Sequence, residues 1–414
     1  MSGILDEAAM PKGWRMKIIH TGDWHLGDRL HGWDRTDEEE FFFSQLKAVV
    51  AKERPDVLLV CGDIFDTGAP GNDVAKKFND ELLGIADACP GMETVVIAGN
   101  HDSYSRLVVD ESLWKRHHVH LFGIPSEDGA GRAVFADNMV DVAGKGVVAA
   151  VPFCHERNFP SVEGAPGASR AREYFAGMAR FAAEAAKGGP CVLMAHLAVG
   201  KETDFTGQDR SMAIGGQECV DPDVLGTGYD YIALGHIHCP QWIKGGRKVA
   251  RYCGSPRPMH FDETYGHGVD VVEVEPGGEP ALRTVVLKPK RELVTVGGKE
   301  GLGFEDALKA VKGLGAPAGS YVRLNVALGE GGSAGPDWAE RARRACAEGG
   351  FRYCTINPIR NVAAGEAAEK KEVLTVAELK ELSNEKVIEM LSARRSLTPR
   401  QCELVKGLME EVGA

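Results

Sequence analysis

Histidine, aspartate and asparagine recur directly after short apolar runs in this 414-residue chain. Five such runs end on a small residue, and the polar residues follow it. These polar residues are Asp23, His25, Asp63, Asn100, His101, Asp102, His196, His236 and His238. An aspartate after a strand usually caps a turn. Capping does not explain the whole set, because histidine is a poor cap. In addition, His236 and His238 would leave an extended chain on the same face.

Side chains of these types, without cysteine, suit Mn, Fe, Mg or Zn ions. These strand ends offer at least seven candidate ligands. Seven ligands are too many for one ion of ordinary geometry, so two ions that share a carboxylate are the simplest arrangement. Paired ions about 3.5–4 Å apart can clamp an in-line displacement at phosphorus. The residue types therefore predict a two-metal site that acts on a phosphate ester.

The elements that must position these residues follow from the same pattern. The five runs are rich in Val, Ile and Leu, as strands covered on both faces are. Residues 37–53, 72–88 and 171–187 have helical composition and lie between some of the runs. This alternation predicts an α/β fold built partly from βαβ units. In such folds the functional site lies just beyond the carboxyl ends of the strands, where the polar residues stand.

The second half of the chain has a different pattern of predicted strands and helices. It predicts, in order, one or two strands in 283–296, a helix in 303–315, a strand in 321–328, a helix in 337–350 and a strand in 351–359. This order predicts a small α/β domain over residues 283–362. A charged linker follows, and then amphipathic helices whose starts are marked by a T-x-x-E capping box at Thr375–Glu378 and by Thr398, Pro399 and Gln401. These short helices need something to dock on.

Composition excludes several classes of protein. The net charge of −12 argues against a surface coated with phosphate-binding residues, although metal ions can reverse the local field. The ten cysteines contain no C-x-x-C pair, so neither a zinc ribbon nor a dithiol redox site is predicted. The start of the chain has no apolar core and does not predict a signal peptide, and no run reaches the roughly 20 apolar residues of a membrane span. A cytoplasmic protein is expected.

The motifs in this order resemble those of the calcineurin-like metallophosphoesterases. The matching motifs are D-x-H at Asp23–His25, G-D at Gly62–Asp63, G-N-H-D at Gly99–Asp102, a single histidine at His196 and G-H-x-H at Gly235–His238. The segments HTGDWHLG, GDIFDTG, AGNHDS, YIALGHIH and YCGSPRPMHFDE further resemble SbcD-type nuclease subunits and their Mre-type relatives. The resemblance covers residues 16 to about 270 strongly and the remainder weakly.

The resemblance implies a four-layer αββα sandwich with a small α/β cap domain and C-terminal helices. The implied divisions are a leader over 1–15, a metallophosphoesterase domain over 16–282, a capping and DNA-end-recognition domain over 283–362, and a linker with partner-binding helices over 363–414. One metal ion would be held by Asp23, His25, Asp63 and His238, and the other by Asp63, Asn100, His196 and His236. His101 would be the catalytic histidine that binds no metal. Mn²⁺ is the expected ion, with Mg²⁺ or another divalent ion as the alternative.

The implied function is that of the nuclease subunit of an SbcCD-like DNA repair complex. Such a subunit cuts duplex ends, single strands and hairpins, is gated by an SbcC-like ATPase with a coiled coil, and acts as a homodimer within a heterotetramer at the nucleoid. The sequence has no P-loop motif, so any ATP dependence would come from that partner. Two alternatives remain, a phosphatase of small phosphoesters or phosphoproteins and an inactive scaffold of the same fold.

Four further residues carry weaker expectations. Asp66 either supports the metal ions or only forms a turn. By the same resemblance, Arg257 lies near the site and could touch a phosphate. His118 and His120 have the alternate spacing of a ligand pair but follow no apolar run, which favours a partly exposed loop or short strand without metal.

Overall fold

The apolar runs predicted as strands form the centres of two six-stranded sheets. The first sheet contains β1 (Met16–Thr21), β4 (Val57–Cys61), β5 (Glu93–Ile97), β6 (Val119–Phe122), β13 (Gly268–Val274) and β14 (Ala281–Val286). Its order is β14-β13-β1-β4-β5-β6. Strands β1, β4, β5 and β6 are parallel, and β13 and β14 continue the sheet antiparallel. The carboxyl ends of β1, β4 and β5 therefore lie at one edge.

The second sheet repeats this design with the remaining two runs at its centre. It contains β7 (Met139–Asp141), β8 (Val147–Val151), β9 (Cys191–His196), β10 (Tyr231–Gly235), β11 (Gln241–Trp242) and β12 (Ala250–Tyr252), in the order β11-β12-β10-β9-β8-β7. Strands β8, β9, β10 and β12 are parallel. The two edge strands, β7 and β11, run antiparallel to their neighbours.

The helices cover the outer faces of the sheets. Their bounds are α1 (Thr36–Glu53), α2 (Asn72–Ala88), α3 (Tyr104–Leu107), α4 (Glu111–Trp114), α5 (Arg170–Ala186), α6 (Phe304–Lys312) and α7 (Trp338–Glu348). Short 3-10 helices span Lys115–His117, Phe135–Asn138, Glu156–Asn158 and Pro222–Leu225. On α1, Phe42, Leu46 and Val50 recur every four residues and form the buried stripe of an amphipathic helix.

Three apolar cores separate four layers. Residues of α1 and α2 pack on the outer face of the first sheet, and residues of α5 pack on the outer face of the second. Between the sheets lies a third core, to which Leu59 of β4 and Val192 of β9 contribute. The predicted αββα sandwich is confirmed.

A smaller three-stranded sheet follows the sandwich in sequence. It contains β15 (Leu293–Val296), β16 (Tyr321–Leu328) and β17 (Arg352–Arg360), with β16 in the centre. Its core includes residues of α6 and α7. A two-stranded hairpin, β2 (Arg29–Leu30) and β3 (Trp33–Asp34), lies between β1 and α1 in sequence. The predicted order of elements in this part of the chain is therefore correct.

The computed structural model describes residues 14–165, 167, 169–200, 202–206, 219–244, 248–329 and 334–360. Contacts divide the chain at 359/360, so all described residues but Arg360 lie in the first unit. The predicted helices within 363–414 lie outside the described residues. Strand β14 spans the predicted boundary at 282/283, and that boundary stays a prediction. None of the described helices is long and apolar enough to cross a membrane.

Candidate metal centre

The backbone adopts an uncommon conformation at four of the candidate ligands. The angle φ is positive at Asp23 (52°), His25 (44°), Asp63 (48°) and His236 (100°). Residues with a Cβ rarely adopt such angles, and they do so most often at functional sites. The N–H of Asp23 donates to the carbonyl oxygen of Gly62 at 2.9 Å, and the N–H of His25 donates to that of Asp63 at 3.0 Å. These bonds lock the segments after β1 and β4 side by side.

Small residues at the strand ends let the backbones approach each other. A Cβ at Gly99 would lie 2.2 Å from Oδ1 of Asp63, and a Cβ at Gly235 would lie 1.8 Å from the carbonyl oxygen of Cys61. Both distances are too short for any Cβ. The structure therefore explains why glycine precedes these polar residues.

One group of candidate ligands comprises Asp23, His25 and His238, whose ligand atoms all lie within 4.8 Å of one another. The Nε2 atoms of the two histidines are 3.2 Å apart. Oδ1 of Asp23 accepts a hydrogen bond from the N–H of His236 at 2.9 Å. Its buried Oδ2 has no hydrogen-bond partner among the described residues. Burial of an unpaired carboxylate oxygen is costly, and a cation at this point would remove that cost. The group fits a divalent metal ion.

A second group comprises Asp63, His196 and His236, again with ligand atoms within 4.8 Å of one another. Oδ1 of Asn100 lies 3.0 Å from both Nε2 of His196 and Nδ1 of His236. Oδ2 of Asp63 lies 3.4 Å from Nε2 of His196 and 3.7 Å from Nε2 of His25. The Asp63 carboxylate therefore lies between the two groups, where a bridging ligand would be.

His101 stands beside the first group. Its N–H donates to Oδ1 of Asp63 at 2.9 Å, and its ring lies edge-on to the His25 ring with centroids 4.8 Å apart. Its Nδ1 donates to the carbonyl oxygen of Asp66 at 2.8 Å. Oδ1 of Asp66 lies 3.8 Å from Nδ1 of His25, and this carboxyl side chain is 40% exposed. The structure thus brings all eight predicted site residues together, with Asp66 at their edge.

Asp102 folds back onto the backbone. Its carboxylate accepts hydrogen bonds from the N–H groups of Gly99 (2.8 Å), Ile64 (3.1 Å) and Phe65 (2.9 Å). Burial, together with the negative charge of Asp63, raises the pKa of Asp102 to about 6. Its role is to join the segments after β4 and β5.

Comparison with known proteins gives the family. The model of the calcineurin-like phosphoesterase family matches residues 16–240, which include every candidate ligand. The chain belongs to this family. It is similar to the SbcD subunit of nuclease SbcCD from Rhodobacter capsulatus, with 35% identity over 64% of this chain and 68% of the relative. It is also similar to the corresponding SbcD subunit from Bacillus subtilis, with 32% identity over 67% of this chain and 71% of the relative.

Among solved structures, the chain resembles a dimetal phosphatase from Danio rerio. The two are 12% identical, with a TM-score of 0.37, over 65% of this chain and 98% of that one. The phosphoesterase family itself implies divalent metal ions, and the two ligand groups suit them.

The histidines of this phosphoesterase centre are oriented by groups behind them. Nδ1 of His196 donates to the carbonyl oxygen of Cys61 at 2.8 Å, and Nδ1 of His238 faces Oε1 of Glu263 at 3.1 Å. The other oxygen of Glu263 accepts the N–H of Met259 at 2.6 Å. Each bond directs the opposite ring nitrogen, Nε2, to the centre. Sequence reasoning missed Glu263, although the segment YCGSPRPMHFDE contains it.

The charges of the centre also favour a cation. Burial lowers the pKa values of His25 and His236 to about 3, so both imidazoles are neutral and able to bind metal at neutral pH. Burial raises the pKa of Asp23 to about 6. Burial alone would lower the pKa of His196, but the charge of Asp63 outweighs it and raises that pKa to about 9. The Asp63 carboxylate therefore attracts positive charge to this point.

Arg257 lies behind the centre and is buried. Its side chain is 5% exposed. Its Nη2 donates to the carbonyl oxygens of Trp24 (3.1 Å) and His25 (3.0 Å) and to Oδ1 of Asp28 (2.5 Å). The prediction that Arg257 contacts a phosphate is wrong, because a substrate has no access to this buried guanidinium.

The His118–His120 pair lies at the edge of the first sheet, on and beside the short strand β6. Nδ1 of His118 lies 3.0 Å from one carboxylate oxygen of Glu93, and Nε2 of His120 lies 2.8 Å from the other. The two histidines therefore pair with a carboxylate on the neighbouring strand. This arrangement agrees with the expectation of a short, partly exposed strand.

Proposed function

We propose that this chain is the nuclease subunit of an SbcCD-like DNA repair complex and hydrolyses DNA phosphodiester bonds at a two-metal centre. The observation that carries the proposal is the pair of ligand groups on either side of the Asp63 carboxylate. The substrate is inferred from the two relatives, whose names describe them as parts of nuclease SbcCD. The phosphoesterase family supports the reaction type.

The proposed ligands follow the two groups. Those of the first ion are Asp23, His25, Asp63 and His238, and those of the second are Asp63, Asn100, His196 and His236. Imidazole, amide and carboxylate ligands suit several divalent ions. We propose Mn²⁺ as the ion, with Mg²⁺ or another divalent ion as the alternative. When bound, the two ions would polarise the phosphoryl oxygens and make water a stronger nucleophile.

His101 is proposed to move the proton of the reaction. Because its Nδ1 donates to the carbonyl oxygen of Asp66, Nε2 is the nitrogen that can take up a proton and donate it to the leaving oxygen. His101→Ala should abolish cleavage, since the leaving group loses its acid, while both ions remain bound. Turnover and metal content measured on the same sample check this. Normal turnover in the variant would contradict the assigned role.

The substrate is tested by offering the full chain several phosphate esters with Mn²⁺. We expect exonuclease activity on duplex ends and endonuclease activity on single strands and hairpins. Hydrolysis of phosphopeptides or nucleotides, with DNA left intact, would instead identify a phosphatase. Bound ions without hydrolysis of any of these substrates would identify an inactive scaffold of the same fold.

The remaining parts of the chain are proposed to serve the complex. Residues 283–362 would cap the cleft and select DNA ends, and residues 363–414 would bind an SbcC-like ATPase at its coiled coil. ATP would gate access through that partner, with two copies of this chain in a heterotetramer at the cytoplasmic nucleoid. Deletion of residues 370–414 should leave Mn²⁺-dependent cutting of single strands but remove the partner. Co-purification of the partner with the deletion variant would contradict the docking proposal.

A further inference from the structure

A buried arginine holds the backbone of the segment that carries the first proposed ligands. Arg257 lies on the loop after β12, and its Nη2 reaches the carbonyl oxygens of Trp24 and His25 at 3.1 and 3.0 Å. The same nitrogen donates to Oδ1 of Asp28 at 2.5 Å. Because it contacts the backbone of His25 itself, a shift of Arg257 moves a ligand of the first ion.

The other carboxylate oxygen of Asp28 begins a series of hydrogen bonds that leads away from the metal centre. Oδ2 of Asp28 accepts from Nη1 of Arg35 at 3.0 Å. The Arg35 guanidinium then donates twice to Oε2 of Glu38, at 2.8 and 3.1 Å. Oε1 of Glu38 accepts from the hydroxyl of Tyr321 at 2.5 Å. Tyr321 begins β16, the central strand of the three-stranded sheet. We call this series from Arg257 to Tyr321 the ion-pair chain.

Every member of the ion-pair chain is buried. The exposed fractions of the whole residues, backbone included, are 4% for Arg257, 8% for Asp28, 1% for Arg35, 5% for Glu38 and 0% for Tyr321. Charges removed from water need partners in good geometry, and loss of one partner leaves the next charge uncompensated. A side chain at one end of the ion-pair chain cannot move without displacing the others, because each guanidinium and carboxylate is shared by two neighbours.

We propose that the three-stranded sheet sets the affinity of the metal site that contains His25, with Tyr321 and Arg257 as positioning residues at the two ends of the ion-pair chain. The proposal rests on the two-metal centre of the proposed function. It assigns the sheet a regulatory role, since anything that displaces β16 would loosen one ion while the other, on the side of His196, keeps its ligands.

The mildest test is Tyr321→Phe in the full-length protein. This change removes only the hydroxyl, and Oε1 of Glu38 keeps a contact with Nη1 of Arg291 at 3.3 Å, so the variant should fold. Binding of Mn²⁺ to chelator-stripped protein is measured by calorimetry. We expect two sites in the unmodified protein and about 10-fold weaker binding at one of them in the variant, the lower end of the effect of groups behind metal ligands. At limiting Mn²⁺, the electron paramagnetic resonance signal of a coupled ion pair should give way to that of a single ion.

Two further variants give the test its controls. Arg257→Lys keeps the charge, but its side chain is one bond shorter and cannot bring its nitrogen to the three acceptors that Nη2 reaches. It should weaken the same site at least as much. Trp33→Phe removes a different hydrogen bond to the same sheet, from Nε1 of Trp33 to the carbonyl oxygen of Tyr353 at 2.8 Å. That variant should bind both ions as the unmodified protein does. Urea denaturation confirms that each variant is folded.

The outcomes separate this inference from the proposed function. Two sites of unchanged affinity in Tyr321→Phe would overturn the inference and leave the two-metal centre intact. Equal weakening in Trp33→Phe would also overturn it, because general loosening of the sheet would then be the cause. Fewer than two sites in the unmodified protein would overturn the proposed function and this inference together. Selective weakening of one site in Tyr321→Phe and in Arg257→Lys, with Trp33→Phe unchanged, supports the inference.

Discussion

Replacement of Gly235 by alanine tests how closely the two sheets must approach at the metal centre. A Cβ at this position of β10 would lie 1.8 Å from the carbonyl oxygen of Cys61, at the end of β4. Real Cβ atoms lie at least 3.0 Å from a non-bonded heavy atom, so the Cys61 carbonyl oxygen must move away by about 1.2 Å. The same oxygen accepts the hydrogen bond from Nδ1 of His196 at 2.8 Å. The methyl group therefore displaces a proposed ligand in two ways, because it pushes on this carbonyl and also lies 3.0 Å from Nδ1 of His196 itself.

The expected losses follow from that shift. A displacement of about 1 Å at a reacting centre can cost about 100-fold in rate, and overpacking costs about 1–3 kcal/mol in the free energy of unfolding. Mn²⁺-dependent hydrolysis of bis(p-nitrophenyl) phosphate measures the loss of rate, and urea denaturation measures the loss of unfolding free energy. Gly129→Ala is the matched control, because a Cβ at Gly129 meets nothing within 4 Å. Equal turnover in Gly235→Ala and Gly129→Ala would refute the close approach.

Two other substitutions test groups outside the ligand set. Glu263→Gln removes the charge that faces Nδ1 of His238 and should weaken Mn²⁺ binding by about 10- to 100-fold. Calorimetry compares this variant with Glu279→Gln, in which the replaced side chain is exposed. Equal Mn²⁺ affinities of the two variants would contradict the prediction. Hydrogen bonds from Arg291 lower the pKa of Asp37, so this carboxylate stabilises the fold above its ordinary pKa of about 3.9 and loses that contribution as pH falls through the lowered value. Asp37→Asn should therefore reduce the difference between the unfolding free energies at neutral and acid pH, measured by urea denaturation. An unchanged difference would show that the pair does not stabilise the protein.

The sequence predicts that these residues lie close together because each candidate ligand stands at a strand end or within a few residues after it. His196 is the last residue of β9, and His236 follows directly after β10. Parallel strands bring their carboxyl ends to one edge of a sheet, so a local pattern is enough to place these residues together. Local periodicity in the sequence also predicts the five strands and the three long helices. It predicts the order of elements after residue 283 as well.

The groups behind the ligands could not be predicted, because their roles arise only when distant loops meet. Arg257 contacts Asp28 across 229 positions of sequence, and Glu263 contacts His238 across 25. In the sequence Glu263 is one acidic residue among many, and Arg257 is an arginine in a proline-rich loop. The loop is near the centre, as predicted, but the side chain turns into the protein. Its direction is set by three acceptors that no local pattern reveals.

The centre draws on both sheets, and this links metal binding to folding. Asp63 follows β4 of the first sheet, and His196 ends β9 of the second, with Oδ2 and Nε2 3.4 Å apart. An ion held by both binds the folded chain and not the unfolded one, so each site should add about 2.7 kcal/mol at a free concentration of 100 times its dissociation constant. Excess chelator should therefore lower the melting temperature, and Mn²⁺ should restore it in a concentration-dependent way, as scanning calorimetry can measure. Asp63→Asn, which weakens the ligand that we propose both sites share, should lose most of this response. The same melting temperature with chelator and with excess Mn²⁺ would mean that the sheets meet equally well without ions, and that the ligand groups do not hold them.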